Sequence, residues 1–407
     1  MSSLATTLKP FRSKDSGTSD AERRFKIGLL VLGFCHLVYF CVAKYSEASG
    51  ITGVLYPQGD PVGGDFINLW SVAKLILSDR IPDIYQVDHF MAFQDSVTGG
   101  ANIGLRLWAY PPHSLLLAWP FGLIGYYAAL AIWSMIGLAV LIAGARRFGF
   151  DRFEIAIILT SPATVLNLYY GQSGSLATGL MLLALSARTG RDPVSIAAAA
   201  LLTIKPQVGF LLPLLWAFQR RWWMIAWTAL AMAALLALAV ALFGLDPWRD
   251  YLGDTLPALN ALEREGSGPF MTMIPSTFMA MRIVTGNSAS AMLIHFGFAA
   301  LVAAVLVFRL WRVEDSDRRA AMVLIATALM TPYIHNYDLA LLLCGALLMA
   351  RRWSFSEKRP LRGELLVMIA WALPQLVVLA LPQLVVLLNT IGLPISPLLI
   401  LPLLFMA

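Results

Sequence analysis

Residues 25–70 read FKIGLLVLGFCHLVYFCVAKYSEASGITGVLYPQGDPVGGDFINLW, and the order of apolar run, loop and acid in this stretch sets the fold class. Phe25 to Ala43 is a first membrane span that stays as an anchor, since no small-residue cleavage site follows it. A loop rich in Gly and Pro leads to Gly63-Gly64-Asp65-Phe66, which puts the Asp65 carboxylate just outside that span. From Phe66 to Leu77 the apolar residues recur at helical spacing, with Asn68, Ser71 and Lys74 between them. The spacing predicts a helix lying in the headgroup region with Asp65 at its start. Asp65 is therefore the candidate reactive group, although an acid at this place is also an ordinary N-terminal cap.

Composition agrees with a membrane protein. Of 407 residues, 58% are hydrophobic and only 13% charged, with mean hydropathy +0.71, values that exclude a soluble globular chain. Cys35, Cys41 and Cys344 all fall inside predicted spans, so they read as lipid- or core-facing thiols, not a disulfide framework. The net charge of +6 reflects topology. Twenty-one of the 30 lysines and arginines lie in the N-terminal tail and in the breaks at Arg146-Arg147, Arg188/Arg191, Arg220-Arg221, Arg309 to Arg319 and Arg351 to Arg362. The positive-inside rule makes those segments cytoplasmic. The complementary loops, 45–106 and 246–282, are net acidic and external. Nucleic-acid binding is not implied.

In chain order, residues 1–25 read as a disordered cytoplasmic tail and 26–350 as the membrane core. Residues 351–407 read as a basic cytoplasmic loop and a C-terminal hairpin, with no charge after Glu364. That hairpin contains a tandem octapeptide, Ala372 to Leu379 repeated as Ala380 to Leu387, read as a local duplication in a peripheral element. Within the core, His113 to Phe121 is expected to dip in as a short helix and Tyr126 to Ala145 to cross. Glu154 to Tyr170 is expected to return outward. Val194 to Phe218 has cytoplasmic residues at both ends and only about 25 residues, too few for two spans. It is expected to be two short helices meeting near Lys205-Pro206-Gln207, with Lys205 facing a hydrated cavity. The count comes to about twelve transmembrane or re-entrant helices, with a helical first external loop.

Polar groups at membrane depth mark a substrate path or pair with one another. Asp65, Lys205, Gln172 beside Tyr169-Tyr170, and His335 with Asp338 all fall towards the external side. Each has a structural reading as well: a cap for Asp65 or Asp338, a buried ion pair for Lys205, a turn for Gln172, an interfacial imidazole for His335. Trp70, Trp108 and Trp248 fit an interfacial belt. No phosphate-binding glycine loop, nucleophile elbow or metal-ligand spacing appears. Neither a nucleotide cofactor nor a metal is called for.

Gly64-Asp65-Phe66, Tyr110-Pro111-Pro112, Gly171-Gln172, Lys205-Pro206-Gln207 and His335-x-x-Asp338 occur in that order, and the ordered set resembles glycosyltransferase family 87. The likeness runs from about Phe25 to Ala350. It implies an all-α polytopic membrane protein of the C-type glycosyltransferase fold, similar to the polyprenol-phosphate-mannose-dependent α-mannosyltransferases. It further implies a polyprenyl-phosphate sugar donor, inversion at the anomeric carbon, and a lipid- or glycan-linked acceptor on the external face of the plasma (inner) membrane. By the same resemblance Asp65 is the general base and His335 lies near the donor phosphate. Lys205, Gln172, Tyr110 and Asp338 are the further substrate-binding candidates. A transporter or flippase would also use broken helices around an intramembrane lysine, and a non-catalytic scaffold is a third reading. The long first loop with its helix and the absence of internal symmetry favour the enzyme.

Overall fold

The computed structural model describes residues 20–187, 189–267, 269–351 and 361–375. Among them the regular elements are helices, with two isolated bridges in the 52–61 loop. Four helices have the length and apolarity to cross a membrane: Asp20–Tyr45, Tyr126–Phe148, Trp222–Phe243 and Ser288–Arg312. They expose large apolar side chains such as Phe34, Leu230, Leu242 and Phe296, as a lipid-facing ring requires. The other helices are shorter, and the most buried of them form the centre. Every residue of Ala340–Ala350 is buried, as is the stretch from Ala320 to Leu329. The expectation of about twelve crossings therefore rests on many short helices, since among the described residues four have full-span length.

Short central helices have a consequence for the site: they end inside the bundle, so their polar connections meet there. Lys205 interrupts one such run between a 3-10 turn, Leu202–Ile204, and the helix Pro206–Gly209, with φ −129° and ψ 70°. A residue before proline is driven out of the helical region in this way. The rise expected over Glu154 to Tyr170 is likewise split, into Arg152–Leu159 and Pro162–Tyr169. Ser161 caps the second piece and Pro162 occupies its first turn. Next to it, Gly174–Leu185 packs on Tyr126–Phe148 at backbone distance. A Cβ on Gly144 would lie 2.4 Å from the Gly179 carbonyl oxygen, and one on Gly179 would lie 2.5 Å from the Leu141 nitrogen. Small residues at a crossing permit this approach, and it fixes the height of the loop 170–173.

Several expectations are corrected. The helix Phe66–Leu77 exists, but eight of its twelve residues are buried, so it is covered by protein and does not present a broad apolar face to lipid. It packs on the 112–123 segment, where Lys74 Nζ reaches the Gly122 carbonyl (2.8 Å) and Trp70 Nε1 the Ile124 carbonyl (3.2 Å). Trp108 is buried and donates to Ser114 Oγ (3.0 Å), which removes it from an interfacial belt. The first helix starts at Asp20, inside the stretch read as tail. Leu361–Gln375 places Leu366, Val367, Ala370 and Leu373 in the main core, so the last described helix is not peripheral. Most of the octapeptide duplication lies outside the described residues.

The two ends of the bundle carry different polar clusters. At one end Glu154 is buried between Lys26 (3.4 Å) and Arg351 (2.6 Å), Lys26 also meets Asp151 (2.8 Å), and Arg147 meets Asp192 (2.7 Å). At the other end Tyr126, 21 positions before Arg147 on the same helix, donates to the Val62 carbonyl (2.7 Å). That end holds Asp65.

Candidate active site

Two glycine-bearing turns bring Asp65 and Gln172 together. Gly63 and Gly64 have φ of +78° and +50°, and Gly171 has φ +58°, a region that only glycine enters without strain. Space forbids a side chain as well. A Cβ on Gly171 would stand 2.5 Å from both the Gly63 carbonyl oxygen and Phe66 Cβ. With the turns so close, the Asp65 amide donates to the Tyr170 carbonyl (3.2 Å). Gln172 Nε2 donates to Asp65 Oδ2 (2.5 Å).

Asp65 stands at the cap position of Phe66–Leu77 but makes no side-chain cap hydrogen bond. Its other oxygen, Oδ1, takes a hydrogen bond from Arg106 Nη1 (2.6 Å). The side chain keeps 43% of its surface exposed, so the carboxylate is oriented by two donors and still accessible. Arg106 also bonds Asp60 Oδ1 (3.1 Å) and, through Nε, the Ile103 carbonyl (2.9 Å). Sequence reasoning missed Arg106. Its only signal was an arginine in a loop that the charge pattern makes acidic.

Lys205 does not face a hydrated cavity. It is 7% exposed and forms an ion pair with Asp338, which is 4% exposed, at 2.5 Å. Its ammonium also lies 5.6 Å from the centre of the Tyr337 ring. Asp338 thus pairs with Lys205 and does not cap Ala340–Ala350, whose N-cap position is held by Leu339 with no side-chain cap bond. Gly174 makes room for the pair: a Cβ there would meet Asp338 Oδ1 at 2.9 Å and the Tyr337 carbonyl oxygen at 2.5 Å. His335 stacks on Tyr337, with ring centres 4.9 Å apart and planes 12° from parallel. Its Nδ1 donates to the Tyr333 carbonyl (3.2 Å). A carbonyl only accepts, so Nδ1 carries the proton and Nε2 is left for another partner. Burial holds the imidazole below the ordinary histidine value, opposed by Asp338 and reinforced by Lys205.

Tyr110 joins the two halves of the site. Its hydroxyl shares a hydrogen bond with Ser173 (2.6 Å), next to Gln172, and its carbonyl accepts from the Tyr85 hydroxyl (3.0 Å). Burial pushes the Tyr110 phenol up, against the pull of nearby Lys205. The segment 246–286 closes over His335: the Asn336 amide donates to the Met273 carbonyl (2.9 Å), and the rings of Phe270 and His335 are 6.1 Å apart. Glu263 belongs to this segment, and burial raises its carboxyl to about 8. All six residues expected from the sequence therefore gather at one end of the bundle, on segments up to 273 positions apart, with Arg106 added. Among the described residues no group of three or more His, Cys, Asp or Glu could hold a metal ion.

What the arrangement offers is one oriented, half-exposed carboxylate beside a buried, charge-balanced pair and a stacked imidazole. That set suits proton abstraction from a hydroxyl next to an anionic group. A family model matches residues 108–332, more than half of the chain, and it describes glycosyltransferase family 87. Comparison with curated proteins and with solved structures gives no match.

Proposed function

The chain belongs to glycosyltransferase family 87, and on that premise we propose that it transfers a hexosyl unit, with mannose the first candidate, from a polyprenyl-phosphate sugar to an acceptor hydroxyl. Asp65 accepts the proton of that hydroxyl, and the freed oxygen attacks the anomeric carbon from the face opposite the phosphate. The bond from that carbon to the phosphate oxygen breaks, and its electron pair leaves on polyprenyl phosphate. The acceptor is lipid- or glycan-linked, and the reaction runs on the external (periplasmic) side of the plasma (inner) membrane. His335 Nε2 meets the donor phosphate. Lys205 and Asp338 hold the floor of the site as a neutral pair, while Gln172 and Tyr110 set the position of Asp65 and of the loop beside it.

The observation that carries this reading is that Asp65 has a cap position without a cap bond, with both oxygens oriented by Arg106 and Gln172 while its side chain stays accessible. Transfer with retention would want a second carboxylate about 5 Å away. Asp338 is buried in its ion pair with Lys205. Asp60 shares Arg106 and is exposed, so it is the competitor to test. In lipid nanodiscs with a prenyl-phosphate mannose and a membrane-extract acceptor, Asp65→Asn is expected to cut turnover by about 10²- to 10⁴-fold. Asp60→Asn is expected to stay within a few-fold of wild type. Equal losses in both variants would replace the single-base reading with a two-carboxylate one.

A further inference from the structure

The rim beside Asp65 carries a cluster that the transfer step leaves unused. The first helix runs to Ala48, beyond its apolar span, and its last turns carry Lys44 and Glu47. Lys44 Nζ lies 2.8 Å from Glu47 Oε1 and 4.7 Å from the centre of the Tyr169 ring. The Tyr169 hydroxyl donates to Glu47 Oε2 (3.3 Å). Tyr56, on the 52–61 loop, lies 26° from parallel to Tyr169 at 6.4 Å, and Tyr170 meets Tyr169 edge-on at 4.9 Å. All three tyrosines, Lys44 and Glu47 are half-buried. The Tyr169 ring also meets Phe40 edge-on at 5.2 Å, and the cluster as a whole stays partly open to the surface beside the Asp65 turn.

The cluster is joined to the base. The Tyr170 carbonyl accepts the Asp65 amide, and a Cβ on Gly64 would lie 3.2 Å from Tyr170 Cα. In an inverting transfer the acceptor oxygen sits between the base and the anomeric carbon, so the acceptor enters on the Asp65 side. A saccharide binds through its C–H faces on aromatic rings and its hydroxyls on charged or amide groups, whereas the hydroxyl of a bare lipid alcohol needs an apolar channel. We propose that Tyr56, Tyr169 and Tyr170, with Glu47 and Lys44, form the acceptor subsite, and that the group bound there is a saccharide ring. The inference rests on Asp65 as the base.

The test uses the full chain in nanodiscs with a prenyl-phosphate mannose donor, and measures how much sugar goes to added saccharide and how much to water. The probes are methyl α-mannoside, α-glucoside and α-galactoside and their octyl counterparts. The ratio of saccharide to water transfer is expected to fall about 3- to 10-fold in Tyr169→Ala and to fall in Glu47→Gln, with Tyr169→Phe close to wild type. Either a preference for the octyl compounds, pointing to a glycolipid, or equal use of both forms, pointing to a free saccharide, supports the subsite. A tyrosine that only braces the loop would lower both transfers together and leave the ratio unmoved, which overturns the proposal. So does donor cleavage that no saccharide diverts. If wild type cleaves no donor, the reading of function fails. The subsite is then decided by saturation-transfer NMR of the same saccharides on wild type and Tyr56→Ala, where equal or absent signals in both overturn it.

Discussion

His335 shows how a single side chain can be held for one partner. Its Nδ1 proton is committed to the Tyr333 carbonyl and its ring is clamped on Tyr337, so only Nε2 can turn to a ligand. Burial lowers its proton affinity, so without a bound anion the neutral imidazole is favoured at neutral pH. A phosphodiester donor carries a fixed negative charge that favours the protonated ring. The sign follows: donor binding strengthens as pH falls, and above the folded-state value it weakens by up to about tenfold per pH unit. The donor KM of wild type is expected to rise from pH 6 to pH 8, and His335→Gln to flatten that rise. Burial pushes the Glu263 carboxyl up to about 8 in the same neighbourhood, so Glu263→Gln is the control that must leave the His335 dependence in place. A slope unchanged in His335→Gln would remove the imidazole from the donor site. At this scale the sequence was informative about identity and poor about state. An ionisable residue at membrane depth is conspicuous, so Lys205 and Asp338 stood out. That they neutralise each other across 133 positions is a fact of packing that no local pattern encodes.

The element that positions the base is the pair of turns 63–65 and 170–172. Their contact depends on glycines in the left-handed region whose missing side chains let one backbone lie on the other. Gly171→Ala is expected to cost about 1–2 kcal/mol in backbone strain alone. Its Cβ would also push against Gly63 and Phe66, which separates Gln172 from Asp65. The measurement is thermal unfolding in detergent together with turnover. Activity should fall by more than stability explains, since the Asp65 to Gln172 bond is lost before the fold is. Wild-type turnover at a lowered melting temperature would show that the turns serve folding only. The break at Lys205-Pro206 was legible because proline restricts the residue before it. The internal place of Phe66–Leu77 was not, since a helix with three polar residues among apolar ones has the same periodicity on a membrane surface as inside a bundle. Asn68 illustrates the ambiguity: buried, it donates to the Leu107 carbonyl (3.1 Å) and accepts from Gln94 (2.7 Å).

Across the whole molecule, two clusters of charged residues mark the ends more clearly than helix length counts the crossings. Lys26, Arg147 and Arg351 gather with Asp151, Glu154 and Asp192 at one end, while Asp60, Asp65 and Arg106 lie at the other. Tyr126–Phe148 links the two, and its 23 residues span about 34 Å at the usual rise, enough to cross the hydrocarbon core. Arg146, Arg147 and Arg351 from the basic breaks read in the sequence fall at the first end, and the positive-inside rule then predicts that the Asp65 end faces outward. Periodicity could not fix the number of crossings, because short buried helices and full spans share composition and differ only in what covers them. Orientation can still be measured directly. In a chain with Cys35, Cys41 and Cys344 replaced by Ala, Ala92→Cys is expected to react with a membrane-impermeant maleimide on intact spheroplasts, Ala92 being exposed on the helix Val87–Thr98. Arg146→Cys is expected to react only after permeabilisation. The opposite pattern would put Asp65 on the cytoplasmic side, where the lipid-linked donor would have to be presented from within, and the external site would be lost with it. Labelling of both positions on intact spheroplasts would mean that Tyr126–Phe148 does not cross.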